Sequence, residues 1–257
     1  MSGFRTLLRK ELLEAWRTRR LPVVAILFLV VGIMSPLTAK YLNQIVTLAM
    51  GDQLPLALPD PTATMALEQL QKNLGQLGAL AAIALAMGSV SGELDRGTAA
   101  MVLAQPVGRP AFLAAKLLAI AAVLGIAMLI GSAVAWIYTA ILFEPLPLGG
   151  WLAMTVLSWL ALTSWAALTF LASAATGSSM AAAGIGFVAL IGLSLVAIVP
   201  AIDRLLPTGL AAPAMALAAN AGAAVDMGHL ATAVAGSLIL ICAALGGAVV
   251  AFGRREI

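Results

Sequence analysis

Charged residues are scarce in this chain of 257 residues: Asp, Glu, Lys and Arg make up 10% of it, while hydrophobic residues make up 62%. A soluble domain typically carries about 25% charged residues. Together with a mean hydropathy of +1.06, this excludes an ordinary soluble domain and indicates a protein of the lipid bilayer. The alternating segments of about ten residues that build membrane β-barrels are also absent. We therefore expect an all-α polytopic membrane protein.

Residues and motifs that commonly carry chemistry are nearly absent. The single cysteine, Cys242, excludes an intramolecular disulfide, and with the single histidine, His229, it cannot form a zinc site. The chain contains neither a G-x-x-x-x-G-K-[ST] phosphate loop nor an H-E-x-x-H sequence. We expect no catalytic, cofactor-binding or metal-binding residues and no enzymatic activity. Any energy source would have to come from elsewhere.

Six apolar runs are long enough to cross a bilayer as helices. No charge lies at the centre of a run, which argues against an ion-driven carrier, because such carriers bury carboxylates or histidines along their pathway. Lys40 and Lys116 lie near run ends, where their side chains are expected to extend toward the interface. The predicted spans are 21–42, 74–90, 111–143, 151–174, 180–202 and 229–252.

The basic residues set the predicted orientation. With both termini in the cytoplasm, eleven of the 14 Lys and Arg residues lie inside and only Lys40, Lys72 and Arg204 lie outside. This distribution agrees with the positive-inside rule. It also explains the net charge of +3 without a nucleic-acid partner. We expect a multi-pass protein of a bacterial cytoplasmic membrane, with residues 21–257 forming the transmembrane domain.

Residues 1–20 are predicted to form a cytoplasmic amphipathic helix at the membrane interface. Phe4, Leu8, Leu12 and Trp16 are spaced four residues apart, and arginines occupy another face. Such a basic helix is expected to lie against anionic lipid of the bilayer. It could act as an anchor alone, or it could also dock a partner protein on its charged face.

Two polar or broken segments are predicted to be external, at 43–73 and 203–228. In the first, Asp60 and Pro61 favour a helix start, with the helix continuing to Asn73. The second is apolar but interrupted by prolines and glycines, and is expected to form re-entrant or outer helices over the bundle before the last span. Gly88 and Gly92 favour close helix packing, either within the chain or against a second copy.

A polar hairpin at 91–110 separates the second and third spans and faces the cytoplasm in this orientation. Its stretch "GELDRGTAAMVLAQPVGRPAFLAAKLLA" resembles the segment that follows the second span in ABC type-2 transporter permeases, which commonly have Glu, a basic residue and Gly-Thr, then Leu, Pro-Val/Ile-x-Arg and Lys. The opening "LLRKELLEAWRTRR" is similar to the amphipathic lead of the same family. The matching residues are Lys10, Glu11, Glu93, Arg96, Gly97, Thr98, Leu103, Pro106, Val107, Arg109 and Lys116.

The resemblance implies a permease that dimerises, as a homodimer, and binds two copies of a separately encoded ABC ATPase subunit, which would hold ATP and magnesium. Residues 1–20 and the hairpin would form the docking surface, with a short rigid helix at about 99–105 that Thr98 could cap. The hairpin charges could bind the partner, tie the hairpin to the lead helix, or merely keep the loop soluble. The expected docking residues are Arg9, Lys10, Glu11, Arg17, Glu93, Asp95, Arg96, Gly97, Thr98, Pro106 and Arg109.

The expected function is an ATP-driven exporter permease. The uncharged spans favour an amphipathic or apolar cargo rather than a small ion. The alternative is a non-transporting membrane scaffold or assembly protein that uses the lead helix as an anchor. The second cytoplasmic loop, near Ser173–Ser179, carries no charge, and we expect it to contribute little to docking.

Overall fold

The computed structural model describes residues 2–50, 60–97, 108–219 and 225–254. Within these ranges the chain is built from helices, without a β-strand. A π-helical turn, Leu74–Gly78, lies between α4 and α5, and a 3-10 turn, Pro207–Leu210, precedes α11. The helices are α1 (Ser2–Arg17), α2 (Arg20–Lys40), α3 (Leu42–Met50), α4 (Ala63–Asn73), α5 (Ala79–Met87), α6 (Ser91–Asp95), α7 (Arg109–Leu142), α8 (Leu148–Thr176), α9 (Ser179–Val196), α10 (Pro200–Asp203), α11 (Ala211–Ala218) and α12 (Met227–Gly253).

Among the described residues, six helical stretches have the length and hydropathy needed to cross a bilayer. The all-α polytopic architecture expected from the sequence is therefore confirmed. The second stretch is Ala63–Asp95, so α4, the π-helical turn, α5 and α6 follow one another as one long span. The third, α7, has 34 residues, more than the roughly 20 that cross the hydrocarbon core.

Glycines allow α2 and α7 to cross with their backbones in contact. A Cβ built on Gly131 would lie 2.5 Å from the carbonyl oxygen of Phe28, and one on Gly32 would collide with the carbonyl oxygen of Gly131. Small residues at such crossings are favoured in lipid, where helices associate by close packing rather than by the hydrophobic effect. The α2–α7 contact therefore depends on glycine at both positions.

Helix α8 lies at the centre of the bundle, packed against α5, α9, α11 and α12. Its Trp151 is fully buried and donates a 2.8 Å hydrogen bond to the hydroxyl of Ser132 on α7. By contrast, only 11% of the most apolar part of α9 and 22% of that of α12 is buried. These two helices leave broad apolar faces open to lipid or to another chain.

Three expectations about local structure are wrong. The helix after the first external segment starts at Ala63, not at Pro61, because Thr62 rather than Asp60 is the N-cap and accepts from the Met65 amide at 3.4 Å. The fifth span ends at Val196 rather than at residue 202, with the chain turning before α10. The second span was expected at 74–90, whereas the helical stretch that contains it runs from Ala63 to Asp95. Lys116 is buried, and its extension toward the interface stays a prediction.

The segment 203–228 was expected to form broken helices, and its described part does so. Pro207–Leu210 forms the 3-10 turn and α11 follows it directly, with Leu210, Ala214 and Ala218 buried. Glycine is required where this segment meets the bundle, because a Cβ on Gly150 of α8 would collide with the carbonyl oxygen of Leu217. Outer or re-entrant placement stays a prediction, as does the assignment of 43–73 to the outside.

Candidate docking site

The lead helix α1 lies against the first turns of α7 and the start of α2. Leu7, Glu11 and Glu14 share one helical face, spaced four and three residues apart, and Leu7 is buried. Trp16, expected on the apolar face, is 62% exposed. The helix therefore packs on the bundle through a mixed apolar and acidic face and leaves a tryptophan free at its end.

A tight elbow joins α1 to α2. Arg19 has φ 60°, the only positive φ at a non-glycine residue in the described part of the chain. An L residue other than glycine rarely adopts this left-handed conformation without a reason in its surroundings. The elbow returns the chain toward the bundle and places Arg19 and Arg20 next to α6.

Five side chains from three helices form an ion cluster whose centre is buried: Lys10, Glu11 and Glu14 of α1, Glu93 of α6 and Lys116 of α7. The Lys116 ammonium donates at 2.7 Å to Glu93 Oε1 and at 3.0 Å to Glu11 Oε2. Lys10 Nζ lies 3.3 Å from the same Glu93 oxygen and 3.2 Å from Glu14 Oε2. The ion cluster thus links the lead helix, the hairpin and the third span at one point.

The central ion pairs of the ion cluster are largely buried. The side chain of Lys116 is 3% exposed, and those of Glu11 and Glu93 are 11% and 10% exposed. Buried ion pairs add little net stability, but removing one partner is strongly destabilising because it leaves an uncompensated charge. Phe112 packs beneath Lys116, with the ammonium 5.0 Å from the ring centroid. The pairing therefore fixes one arrangement of the three helices.

The outer part of the ion cluster keeps its charges over a wide pH range. Burial lowers the pKa of the Lys10 ammonium, but the carboxylates of Glu11, Glu93 and Glu14 together raise it above its ordinary value. Burial raises the pKa of Glu14, and the opposing charges of Lys10, Lys116 and Arg20 bring it below its ordinary value. Carboxylate oxygens of Glu11, Glu14 and Glu93 lie within 4.8 Å of one another, and the ammonium groups of Lys10 and Lys116 offset two of their three negative charges.

Serine hydroxyls hold the other side of α6. The hydroxyl oxygen of Ser173, near the end of α8, accepts from the backbone amides of Val90 at 3.3 Å and Ser91 at 3.1 Å. The Ser91 hydroxyl is also 2.8 Å from that of Ser179, at the start of α9. Helix α6 is thus attached to α8 and α9 by the serines and to α1 and α7 by the ion cluster.

The remaining predicted docking residues lie around this core. Arg9, Arg17 and Asp95 are exposed, and Gly97 ends α6 in the left-handed conformation, with φ 68°. Arg96 is exposed and donates from Nε to the carbonyl of Gly92 at 2.9 Å. Thr98, Pro106 and the expected short helix at 99–105 lie outside the described residues.

Arg109 begins α7 and donates at 3.0 Å to the carbonyl oxygen of Gly253, at the end of α12. An arginine at the last carbonyls of a helix is favourable for hydrogen bonding and for the helix dipole. The structure thereby brings the end of the hairpin, at Arg109, next to the C-terminal end of the last span, a contact that no sequence pattern indicated.

Two functional contributors were missed at the level of sequence. Lys116 matched the family pattern but was interpreted as an interfacial lysine. A signal for a buried ion pair was present: the lysine lies one turn into an apolar span, and each of two nearby polar segments contains a Glu. The serines of the uncharged second loop were set aside, yet Ser173 and Ser179 hold α6. A hydroxyl in an apolar helix gives no sequence signal that separates these roles.

Comparison with known proteins agrees with the helical membrane architecture. The chain is 31% identical over 149 residues to "Uncharacterized transmembrane protein YxlG" of Bacillus subtilis (strain 168), an alignment that covers 56% of this chain and 57% of that protein. The family model described as "ABC-2 family transporter protein" matches residues 5–256. Members of this family are the membrane component of an ABC transporter, with the ATPase in a separate subunit. The chain belongs to the ABC-2 transporter family.

Proposed function

We propose that this chain is the permease of an ATP-driven exporter and that α1 and the segment 91–110 form the surface on which a separate ATPase subunit docks. Two permease copies and two ATPase copies would complete the transporter in a bacterial cytoplasmic membrane, with both termini of the chain in the cytoplasm. ATP binding would draw the ATPases together, and the docking surface would carry that motion to the spans.

The observation that carries the proposal is the ion cluster. Glu93 of α6 and Glu11 of α1 share the ammonium of Lys116, which lies in the second turn of a membrane span. If α1 or α6 moved while α7 stayed in place, buried opposite charges would separate, and that separation costs free energy. Glu93 thus ties the hairpin to the lead helix, which is one of the uses expected for the hairpin charges. Asp95 and Arg96 stay exposed to meet a partner.

The composition of the spans supports the cargo part of the proposal. The most apolar parts of the six spans have mean hydropathies between 1.5 and 2.6. Apart from Glu93 and Lys116, which pair with each other, the buried polar side chains of the described spans are hydroxyls. Such a surface has no counter-ion for a small cation. We therefore propose an amphipathic or apolar cargo.

The docking proposal is tested by purifying the chain from its native membrane and identifying proteins that copurify. An ABC ATPase is expected in the wild-type preparation. Glu93→Ala and Arg96→Ala are expected to lose the ATPase or to uncouple ATP hydrolysis from transport, while Lys72→Ala, a charge removed on the other side of the bundle, is expected to behave as wild type. A chain that never copurifies with an ATPase would instead be a membrane scaffold.

The cargo proposal is tested separately on the purified complex. Lipidic and peptide candidates are expected to raise its ATPase rate, and metal cations are not. Stimulation by a cation alone would contradict the cargo assignment and would leave the docking assignment standing.

A further inference from the structure

A cavity of about 460 Å³ lies between the α1–α2 elbow, the end of α5, α6 and the start of α9. Three arginines line it: Arg19 and Arg20 from the elbow, and Arg96 from the end of α6. No carboxylate lines the cavity, and none of the ion pairs that the described residues form involves these arginines. Three positive charges therefore converge on one space; outside its lining, the carboxylate of Glu14 lies near Arg20 and offsets part of that charge.

The backbone and the glycines of the region keep this arrangement. Arg19 holds the left-handed φ of 60° at the elbow, and strained backbone of this kind clusters where a ligand is held. The Arg96 guanidinium lies along α6 because Gly92 has no side chain; a Cβ there would be 3.3 Å from its terminal nitrogen. The other cavity glycine, Gly88, faces Ser179 of the same chain, in accord with packing within one copy.

The opposite wall of the cavity is apolar. It includes Val23, Ala84 and Met87. From Val23 an exposed apolar stripe continues along α2 through Ile26 and Val30, which are 61% and 47% exposed. These residues are spaced three and four apart, so they share one face of the helix. The cavity thus joins a cationic end to an apolar groove that runs into the span.

We infer that this cavity binds an anionic phospholipid of the inner leaflet, with its phosphate at Arg19, Arg20 and Arg96 and an acyl chain along the α2 stripe. Guanidinium groups bind phosphate oxygens through paired hydrogen bonds, and basic pockets between spans bind anionic headgroups. A soluble phosphate would use the arginines but not the groove. The site shares with the proposed function the orientation of the chain and one residue, Arg96, but lipid binding there needs no ATPase.

The test is native mass spectrometry of the full-length chain in detergent, titrated with phosphatidylglycerol and, in parallel, with phosphatidylcholine. Wild type is expected to retain phosphatidylglycerol in preference. Each arginine near an anionic headgroup contributes roughly a fivefold effect on affinity, so Arg19→Gln, Arg20→Gln and Arg96→Gln combined should weaken phosphatidylglycerol binding on the order of a hundredfold. The matched control combines Arg5→Gln, Arg9→Gln and Arg254→Gln, which remove the same charge at exposed positions outside the cavity.

Two further measurements test the apolar wall of the cavity and the acyl chains of the lipid separately from the charges. Ala84→Phe retains every charge and fills the apolar wall, and it is expected to weaken phosphatidylglycerol binding tenfold or more while size-exclusion behaviour stays that of wild type. Glycerol 3-phosphate, which carries the phosphate without chains, is expected not to displace the lipid at millimolar concentration. The inference is overturned if the cavity variants bind phosphatidylglycerol as wild type does, if the control weakens it equally, or if glycerol 3-phosphate displaces it.

Discussion

The substitution Lys116→Met removes the ammonium shared by Glu11 and Glu93 and keeps the length and apolar stem of the side chain. Breaking a buried ion pair by removing one partner costs about 3–5 kcal/mol. Lys10 lies 3.1 Å from Glu11 and 3.3 Å from Glu93 and stays in place, so we expect the lower end of that range, about 3 kcal/mol. The cost falls on the contact between α1 and α7, because that is where the carboxylates that lose Lys116 can regain water.

Hydrogen–deuterium exchange of the α1 amides measures this contact directly. A loss of about 3 kcal/mol corresponds to exchange that is roughly a hundredfold faster in α1, while the amides at the centre of α8 should keep their protection. Lys72→Met, an exposed lysine on α4, is the matched control. The double variant Lys116→Met with Glu11→Met should regain most of the protection, since Glu93 is then the one largely buried carboxylate left in the ion cluster and Lys10 pairs with it. Unchanged exchange of α1 in Lys116→Met would refute the reasoning.

Three further predictions concern the same region and the packing beneath it. Because the pKa of Glu14 is below its ordinary value of 4.5, its contribution to α1 docking should persist above about pH 4.5 and be lost as the pH falls through the lowered pKa. The measurement is hydrogen–deuterium exchange of α1 against pH, corrected for intrinsic exchange rates. A transition near neutral pH would contradict this prediction. Ser173→Ala leaves two buried amides without their acceptor and should lower the free energy of unfolding by about 1–3 kcal/mol. Ser164→Ala is the control and should change the melting temperature little, because the Ser164 hydroxyl donates only within its own helix. Equal melting temperatures of the two variants would count against a role of Ser173 in holding α6. Gly131→Val drives a side chain into the backbone of α2 and should destabilise by about 3 kcal/mol, whereas Gly149→Val meets open space; equal thermal stability of the two variants would argue against the close crossing.

The fold was largely predictable because the dominant force on each span is its hydropathy. Runs of apolar residues at spanning length leave few alternatives to a helix in lipid, and all six were located to within a few residues except where the second begins and the fifth ends. The early end at Val196 was hidden because the residues that follow are as apolar as the helix. Their turn is set by Pro200 and by packing of the 3-10 turn on α12, which a hydropathy pattern does not contain.

The candidate site was predictable in outline only. The charges at 91–96 and on α1 were placed on the same side of the membrane by the basic-residue distribution, and the resemblance to a family singled them out as a docking surface. Which charge meets which depends on the depth of Lys116 and on the rotation of α1, and both are set by packing. The same limit explains Ser173, since a buried serine that accepts from another helix has the same sequence context as one that bonds within its own helix.

Site-directed cross-linking to the ATPase is the most direct measurement of the central claim, that α1 and the segment 91–110 dock a separate subunit. With the exposed Cys242 replaced by Ser, Asp95→Cys places one thiol at the exposed end of α6, and Lys72→Cys places one on α4 as a control. In native membranes, a thiol cross-linker is expected to join the Asp95→Cys chain to an ABC ATPase and to leave the Lys72→Cys chain unlinked. Absence of an ATPase from the Asp95→Cys product, or its equal presence with Lys72→Cys, would contradict the account.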